Sequence, residues 1–550
     1  MNTTRIQPLN SAQARRQAEE ILAGDRPFGD CDYIRQRTRM HYRHRLLLLK
    51  EHSKGAHLLL SALEDVPDDR QHRVLGDPAV RVATDTWLSA VRAGRELPWP
   101  EEELDAVLET AAAQGPRASV PPLAEGAADL MRLHEAAWPW VWSEPRAEMD
   151  PLGEFFRRVF SASLPGLALT SPGARVRETL LRGAELLHEL CPRLARSALS
   201  HVHLIVVAGK QPPTDAVAAG EQPSASVVAD GKQPSPGFAS LTHPRVPGVI
   251  FLSTAVLGDA WQAAEYLLHE AMHVKFTDLE HTHSLLGEDY DAAASPLIRP
   301  HWNRARQETG DGWPVDRALT VGHVYTSLAL FHATVAARHA ELTDRYGPIA
   351  GADPARQARR SFDRAQYLVD RLGVDRLDRH TEQLGAGGRL FLRWLHGIHE
   401  AFDPSPAPEG AYAHLVLDLY EREADTIRKV MSRRDDGRAD EDAARLRSAA
   451  RKEIGACLAV LAATAAPAGP ERELHDQDRV LAELESSGAA FRDSAEAFLR
   501  TRELVLRALS PVSPAAFLAP VPDRPEQTSA EVVRSMVEES GRRLNSLLEG

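Results

Sequence analysis

The hydrophobic positions recur with helical spacing over most of the chain, and one region breaks that rhythm. From residue 1 to about 200 the text reads as helix after helix. In RQRTRMHYRHRLLLLKEHSKGAHLLLSALEDV (35–66) leucines group at 46–49, at 58–60 and at 63 behind a basic cluster. That pattern predicts an amphipathic helix with Arg and His toward solvent. PWPEEELDAVLETAAAQG (98–115) has a proline entry, acidic residues in its first turn and a closing glycine, which frame a helix. RVRETLLRGAELLHELCPRLARSAL (175–199) is helical with an interruption at Pro192. At 201 the character changes. HVHLIVVAG (201–209) alternates and then becomes β-branched, predicting a strand, and FASLTHPRVPGVIFLST (238–254) predicts another centred on Val249–Leu252. Between them GxQP recurs at Gly209, Gly220 and Gly231 in a surface insertion that holds a possible short strand, SASVVAD (224–230). A long helical pattern starts at Asp259, and helices return after about 345, jointed by Pro-rich FDPSPAPEGAY (402–412), APAGPERE (466–473) and LSPVSPAAFLAPVPDRPEQTS (509–529). The expected fold is mainly α in the α+β class, with a small sheet beside one long helix. Three parts are expected: a helical lobe over 1–200, a core over 201–345 and a second helical lobe over 346–550.

The long helix, AWQAAEYLLHEAMHVKFTDL (260–279), contains His269-Glu270-x-x-His273. Residues four apart on a helix share a face, so both imidazoles can address one metal ion. Glu270 lies about 100° around from His269 and still reaches the solvent side of such an ion. Two solvated or hydrogen-bonded histidines on an ordinary helix are the alternative. The preceding VIFLS segment reads as an edge strand of the kind that holds extended peptide beside this motif in zinc peptidases, so a zincin-like core is expected. A third ligand is less evident. The metzincin extension requires Gly and His where the chain has Phe276 and Leu279. Glu280, Glu288, Asp289 and Glu308 are the carboxylate candidates, and His281, His283, His301, His323, His332 and His339 the imidazoles. His323, in the apolar helical stretch RALTVGHVYTSLALF (317–331), is the preferred one.

Composition narrows the classes. The 550 residues exceed one ordinary core, and 43% hydrophobic with 26% charged content fits a globular protein. A formal net charge of −13 argues against a nucleic-acid surface. Cys31, Cys191 and Cys457 form no CxxC pair, which excludes a thiolate cage and suits a reducing compartment. The first residues lack the apolar core of a secretory signal, and the longest apolar run, near Gly455 to Ala466, is too short to span a bilayer. A cytoplasmic protein acting on neither membrane nor nucleic acid is expected. The 23 histidines, roughly twice typical usage, add weight to a metal site.

The succession FASLTHPRVPGVIFLS, LLHEAMHVKF, SPLIRP and PVDRALTVGHVY resembles the HExxH-motif proteins encoded with ribosomal peptide natural products, over roughly residues 224–335. The resemblance implies an iron(II)- and 2-oxoglutarate-dependent peptide β-hydroxylase that uses dioxygen on a precursor peptide. It makes His269, His273 and His323 the iron ligands and gives Arg299 and Arg317 to the 2-oxoglutarate carboxylates, which a guanidinium can grip bidentately. Two departures stand out: the family's Trp before the first Arg is absent, and HWNRARQETGDGW (301–313) separates the two Arg segments. Read from the residues alone, a zinc peptidase with Glu270 as general base is the competing enzyme. A metal-free peptide-holding protein is the non-enzymatic alternative.

Overall fold

A computed structural model describes residues 11–115, 120–125, 127, 130–133, 139–143, 151–210, 239–298, 300, 312–349, 353–373, 379–402, 420, 424, 427, 439–464, 491–509, 520–521, 524–536 and 539. The strand expected at 224–230, the GxQP repeats beyond Gly209, the Pro-rich joints at 403–412 and 466–473, and Arg299, His301 and Glu308 lie outside the described residues. What is described is mainly helical with a small mixed sheet. It forms two compact units: Met1–Glu288 with His323–Ala358 and Leu384–Phe402, and Asp289–Gly322 with Arg359–Gln383 and Asp403–Gly550.

The first unit opens with helices α1 (Ala12–Gly24), α2 (Cys31–Leu49), α3 (Lys54–Ala62), α4 (Asp68–Gly76), α5 (Pro78–Ala93), α6 (Glu101–Gln114) and the single turn α7 (Pro122–Glu125). Strands β1 (Met131–Arg132) and β2 (Trp140–Val141), helix α8 (Pro151–Ser163), strand β3 (Leu167–Thr170) and helices α9 (Ala174–Leu190) and α10 (Pro192–Leu199) follow. Then come β4 (Leu204–Lys210), β5 (Ser240–Thr242), β6 (Val249–Ser253) and the motif helix α11 (Ala260–Thr282). The chain continues through α12 (Val315–Tyr346), α13 (Pro354–Leu372), α14 (Arg379–Glu382) and α15 (Ala386–Phe402); the start of α12, most of α13 and all of α14 belong to the second unit.

Local chemistry explains the boundaries. Asp259 caps α11 by accepting from the Gln262 amide at 2.9 Å, an N-cap that satisfies one of the helix's orphan donors. Pro192 opens α10 directly after α9 ends, because proline tolerates the first helical turn but not the interior. The amphipathic stretch at 35–66 is two helices rather than one. Ser53 starts the second by accepting from the Ala56 amide at 3.0 Å, and its hydroxyl donates to Asp105 at 2.5 Å. The leucine group at 46–49 is split accordingly, with Leu46 and Leu49 buried and Leu47 and Leu48 exposed.

The sheet runs β1-β2-β4-β6-β5, with β3 also pairing β4. β4 and β6 are parallel, in register from Leu204↔Val249 to Ala208↔Ser253, and β5 is antiparallel to β6. The expected strand at 249–253 is therefore present, but its reading as the edge is corrected: β6 lies between β4 and β5, and all five of its residues are buried. The edge is β5. Leu204, Val206, Ala208, Val249 and Phe251 share one face and pack with Trp140, Trp142, Phe155, Phe156, Phe160 and the leucines of α2, α3 and α6. Ile205, Val207, Ile250 and Leu252 point to the other face and are also buried, as parallel pairing between covered faces requires. The motif helix packs against α2, α9, α10, β5 and β6. Gly183 on α9 allows the close approach, since a Cβ there would come within 2.6 Å of Ala263.

In the second unit Ile298 and Trp313 exchange two backbone hydrogen bonds of 2.8 and 2.6 Å. Its later helices, α16 (Ala439–Thr464) and α17 (Phe491–Leu509), enclose a buried pair, Arg502 with Glu453 at 3.0 Å, that also engages Tyr420. A small hairpin, β7 (Pro520–Val521) with β8 (Arg524–Thr528), packs on the same core. Among the described residues no helix is long and apolar enough to cross a membrane.

Candidate metal centre

The i, i+4 spacing on α11 brings His269 and His273 together, with ring centroids 5.1 Å apart and side chains that are almost fully buried. Glu270 is buried beside them, its Oε1 3.8 Å from His269 Nε2. The same oxygen accepts a 2.6 Å hydrogen bond from the Ser240 hydroxyl on the edge strand. Glu270 Oε2 is buried with no hydrogen-bond partner among the described residues. Burial raises the Glu270 carboxyl above the ordinary carboxylate range, while His269 and the Ser240 hydroxyl act in the opposite direction.

Helix α12 runs antiparallel along α11. Phe276 meets His323, with ring centroids 6.2 Å apart, and Glu265 meets His332, at 3.5 Å between Oε2 and Nε2. The levels of His269 and His273 fall between those two meetings. His323 thus lies roughly one turn beyond His273, enclosed by Phe276, Phe391 and Trp394. It is fully buried, and neither ring nitrogen has a hydrogen-bond partner among the described residues. Burial, with Lys275 and His273 nearby, holds its pKa well below that of free histidine and disfavours the charged ring.

Whether these residues fit a metal follows from their chemistry. Neutral imidazoles in a dry setting are competent donors, and an orphaned buried imidazole has ligand capacity to spare. His269 and His273 are the pair that could supply two positions of such a site. No group of three or more His, Cys, Asp or Glu side chains is gathered around one point among the described residues, so His323 is not brought into a set with the motif pair. Glu288 and Asp289 are exposed, Glu280 is half-buried near the end of α11, and His281 and His283 lie at that same end. His281 stacks on His41, 5.5 Å between centroids, and His339 bonds to carbonyls of its own helix. Arg317 belongs to the second unit, where its guanidinium lies over the Trp313 ring at 5.0 Å.

Farther along α11 a different set of buried groups appears. Lys275 donates to the Leu22 and Gly29 carbonyls and the Ser197 hydroxyl at 3.3, 3.0 and 2.8 Å. Asp278 accepts from Arg81 at 2.9 Å and from His201 Nδ1 at 2.8 Å. These residues and Ser240 escape a reading of the sequence. Lys and Asp at such positions look like an ordinary solvated helix face, and Ser240 is 30 residues from its partner with only an intervening strand signal as a clue. No protein-family model matches the sequence, and no curated protein does.

Proposed function

We propose that the chain is an iron(II)- and 2-oxoglutarate-dependent oxygenase that hydroxylates a ribosomally made peptide, at a β-carbon of the modified residue. One observation carries the reading: two buried histidines and a buried glutamate on one helix, tied by a hydrogen bond to the edge strand of a mixed sheet. In this reading that helix and strand form a zincin-like core. His269 and His273 would hold the iron; the resemblance gives His323 as third ligand, and its buried ring without a hydrogen-bond partner among the described residues suits that role, although it is not gathered with the motif pair there. Iron(II) with 2-oxoglutarate, when bound, supplies activated dioxygen for a C–H bond. β5 pairs only with β6 among the described residues, so its outer edge offers main-chain groups to an extended peptide. The resemblance gives Arg299 and Arg317 to 2-oxoglutarate. Cys31, Cys191 and Cys457 are buried and unbridged, which suits the cytoplasm.

A zinc peptidase is the second reading, favoured by Glu270. A carboxylate with a raised pKa and one oxygen without a hydrogen-bond partner among the described residues is suited to take a proton from water. The two readings part on products. Protein reconstituted anaerobically with Fe(II) and 2-oxoglutarate is given a precursor peptide encoded beside its gene, then O₂. Succinate with a full-length peptide carrying one added oxygen supports the oxygenase. Shortened fragments formed with Zn(II) and no succinate would replace it with the peptidase.

A further inference from the structure

We infer that Ser240 is a positioning residue for Glu270, and that through it the edge strand sets the orientation of the carboxylate beside the motif histidines. The inference rests on the reading of α11 as a metal centre and extends it to a residue outside the motif. Glu270 has three side-chain torsions, and burial alone does not choose among them. Its Oε1 accepts a hydrogen bond from the Ser240 hydroxyl at 2.6 Å, while His269 Nε2, at 3.8 Å, is too far for one. An O–H···O contact that short is in the range of a charge-assisted bond to a carboxylate. With Oε1 engaged, Oε2 is the oxygen left buried and without a hydrogen-bond partner among the described residues. Ser240 is itself fixed by the strand: it pairs with Leu252 on β6, and the neighbouring Ala239 carbonyl accepts from the Ser253 amide at 2.9 Å. The hydroxyl therefore transmits the position of β5, which pairs only with β6 among the described residues, to Glu270. An alanine would leave Glu270 both buried and free to rotate, and a threonine keeps the hydroxyl.

The test uses the full-length protein and the variants Ser240→Ala, Ser240→Thr and Glu270→Gln. In metal-free protein, the infrared carboxylate band that disappears in Glu270→Gln should shift in Ser240→Ala and return in Ser240→Thr. In turnover of the precursor peptide, Ser240→Ala should lower kcat by about 10- to 100-fold, the size of a lost hydrogen bond to a charged group. Peptide KM should stay within about two-fold, and Ser240→Thr should recover most of the loss. An unshifted band together with wild-type kcat overturns the inference. A raised KM with unchanged kcat also overturns it, by making the hydroxyl a peptide contact. If Ser240→Ala does not fold, Ser240→Cys takes its place, with a weak donor of similar size. If the product is fragments instead of hydroxylated peptide, the oxygenase reading fails while the same comparison of variants still judges Ser240. If there is no product at all, the infrared comparison judges it alone.

Discussion

Helix α11 buries two carboxylates two turns apart, and their surroundings treat them in opposite ways. Burial penalises the charge of both. At Asp278 both oxygens are engaged, one by Arg81 and one by His201, and these partners outweigh burial and hold the group well below the usual carboxylate range. At Glu270 a single hydroxyl and a histidine at 3.8 Å are insufficient, so burial wins and the group is raised. The contrast extends to their neighbours. Lys275 has an acceptor for each of its three protons, whereas both nitrogens of His323 have none among the described residues. A buried polar group is thus no sign of function by itself. What separates the two carboxylates is how many of their own oxygens are engaged among the described residues: both at Asp278, by charged or ring N–H donors, and only Oε1 at Glu270.

Breaking the scaffold end should have the largest effect. Asp278→Ala leaves the Arg81 guanidinium buried over the Tyr42 ring without its anion, and should cost about 3–5 kcal/mol in denaturant unfolding. A loss under about 1 kcal/mol would mean that water reaches Arg81. Glu270→Gln should do the reverse: stability within about 1 kcal/mol of wild type, and turnover lower by about 100-fold or more. A Gln variant as active as wild type would remove Glu270 from the chemistry. Lys275→Met should cost about 2 kcal/mol by stranding its acceptors. Burial lowers Lys275 to about 8, so above that pH the unfolded chain binds a proton that the folded chain has released. Wild type should therefore gain stability from pH 8 to about 9.5, a gain absent in Lys275→Met.

The gentlest test is acid. Around Arg81 and Asp278, burial lowers His41 to about 3 and lowers His72, His201, His203 and His281 too. The unfolded chain binds protons at these rings first, so their contribution is complete above about pH 6.5 and is lost as pH falls. Together they should steepen the fall of stability with pH below about 6.5. A flat unfolding profile between pH 7 and 5.5 would show that the network is hydrated.

Local signals were legible in the residues. Pro192 and Asp259 marked helix boundaries, β-branched runs marked β4 and β6, and four-residue spacing paired His269 with His273. Relations across long sequence separations were not. β6 looked like an edge because nothing in VIFLS reports that Leu204–Ala208 lies alongside it. Arg81 and Asp278 are 197 residues apart, and neither shows in its own neighbourhood that the other neutralises it. Ser53 gives no signal of its own, because a capping hydroxyl inside a leucine-rich stretch disturbs the apolar periodicity very little.

The grip on Lys275 has a consequence for how freely the N-terminal segment can vary. Two of its three acceptors are main-chain carbonyls, at Leu22 and Gly29, and a carbonyl carries no residue identity. The motif helix is therefore indexed to the path of the preceding chain and not to its spelling. Substitutions in α1 that still fill the core should pass unnoticed at the histidines, while deleting one residue between 22 and 29 should displace a carbonyl and with it the seat of the helix. Gly29 is the exception to that tolerance, since a Cβ there would come within 2.8 and 2.9 Å of the Asp25 backbone. A graft of a foreign helix onto this segment would succeed or fail on its length.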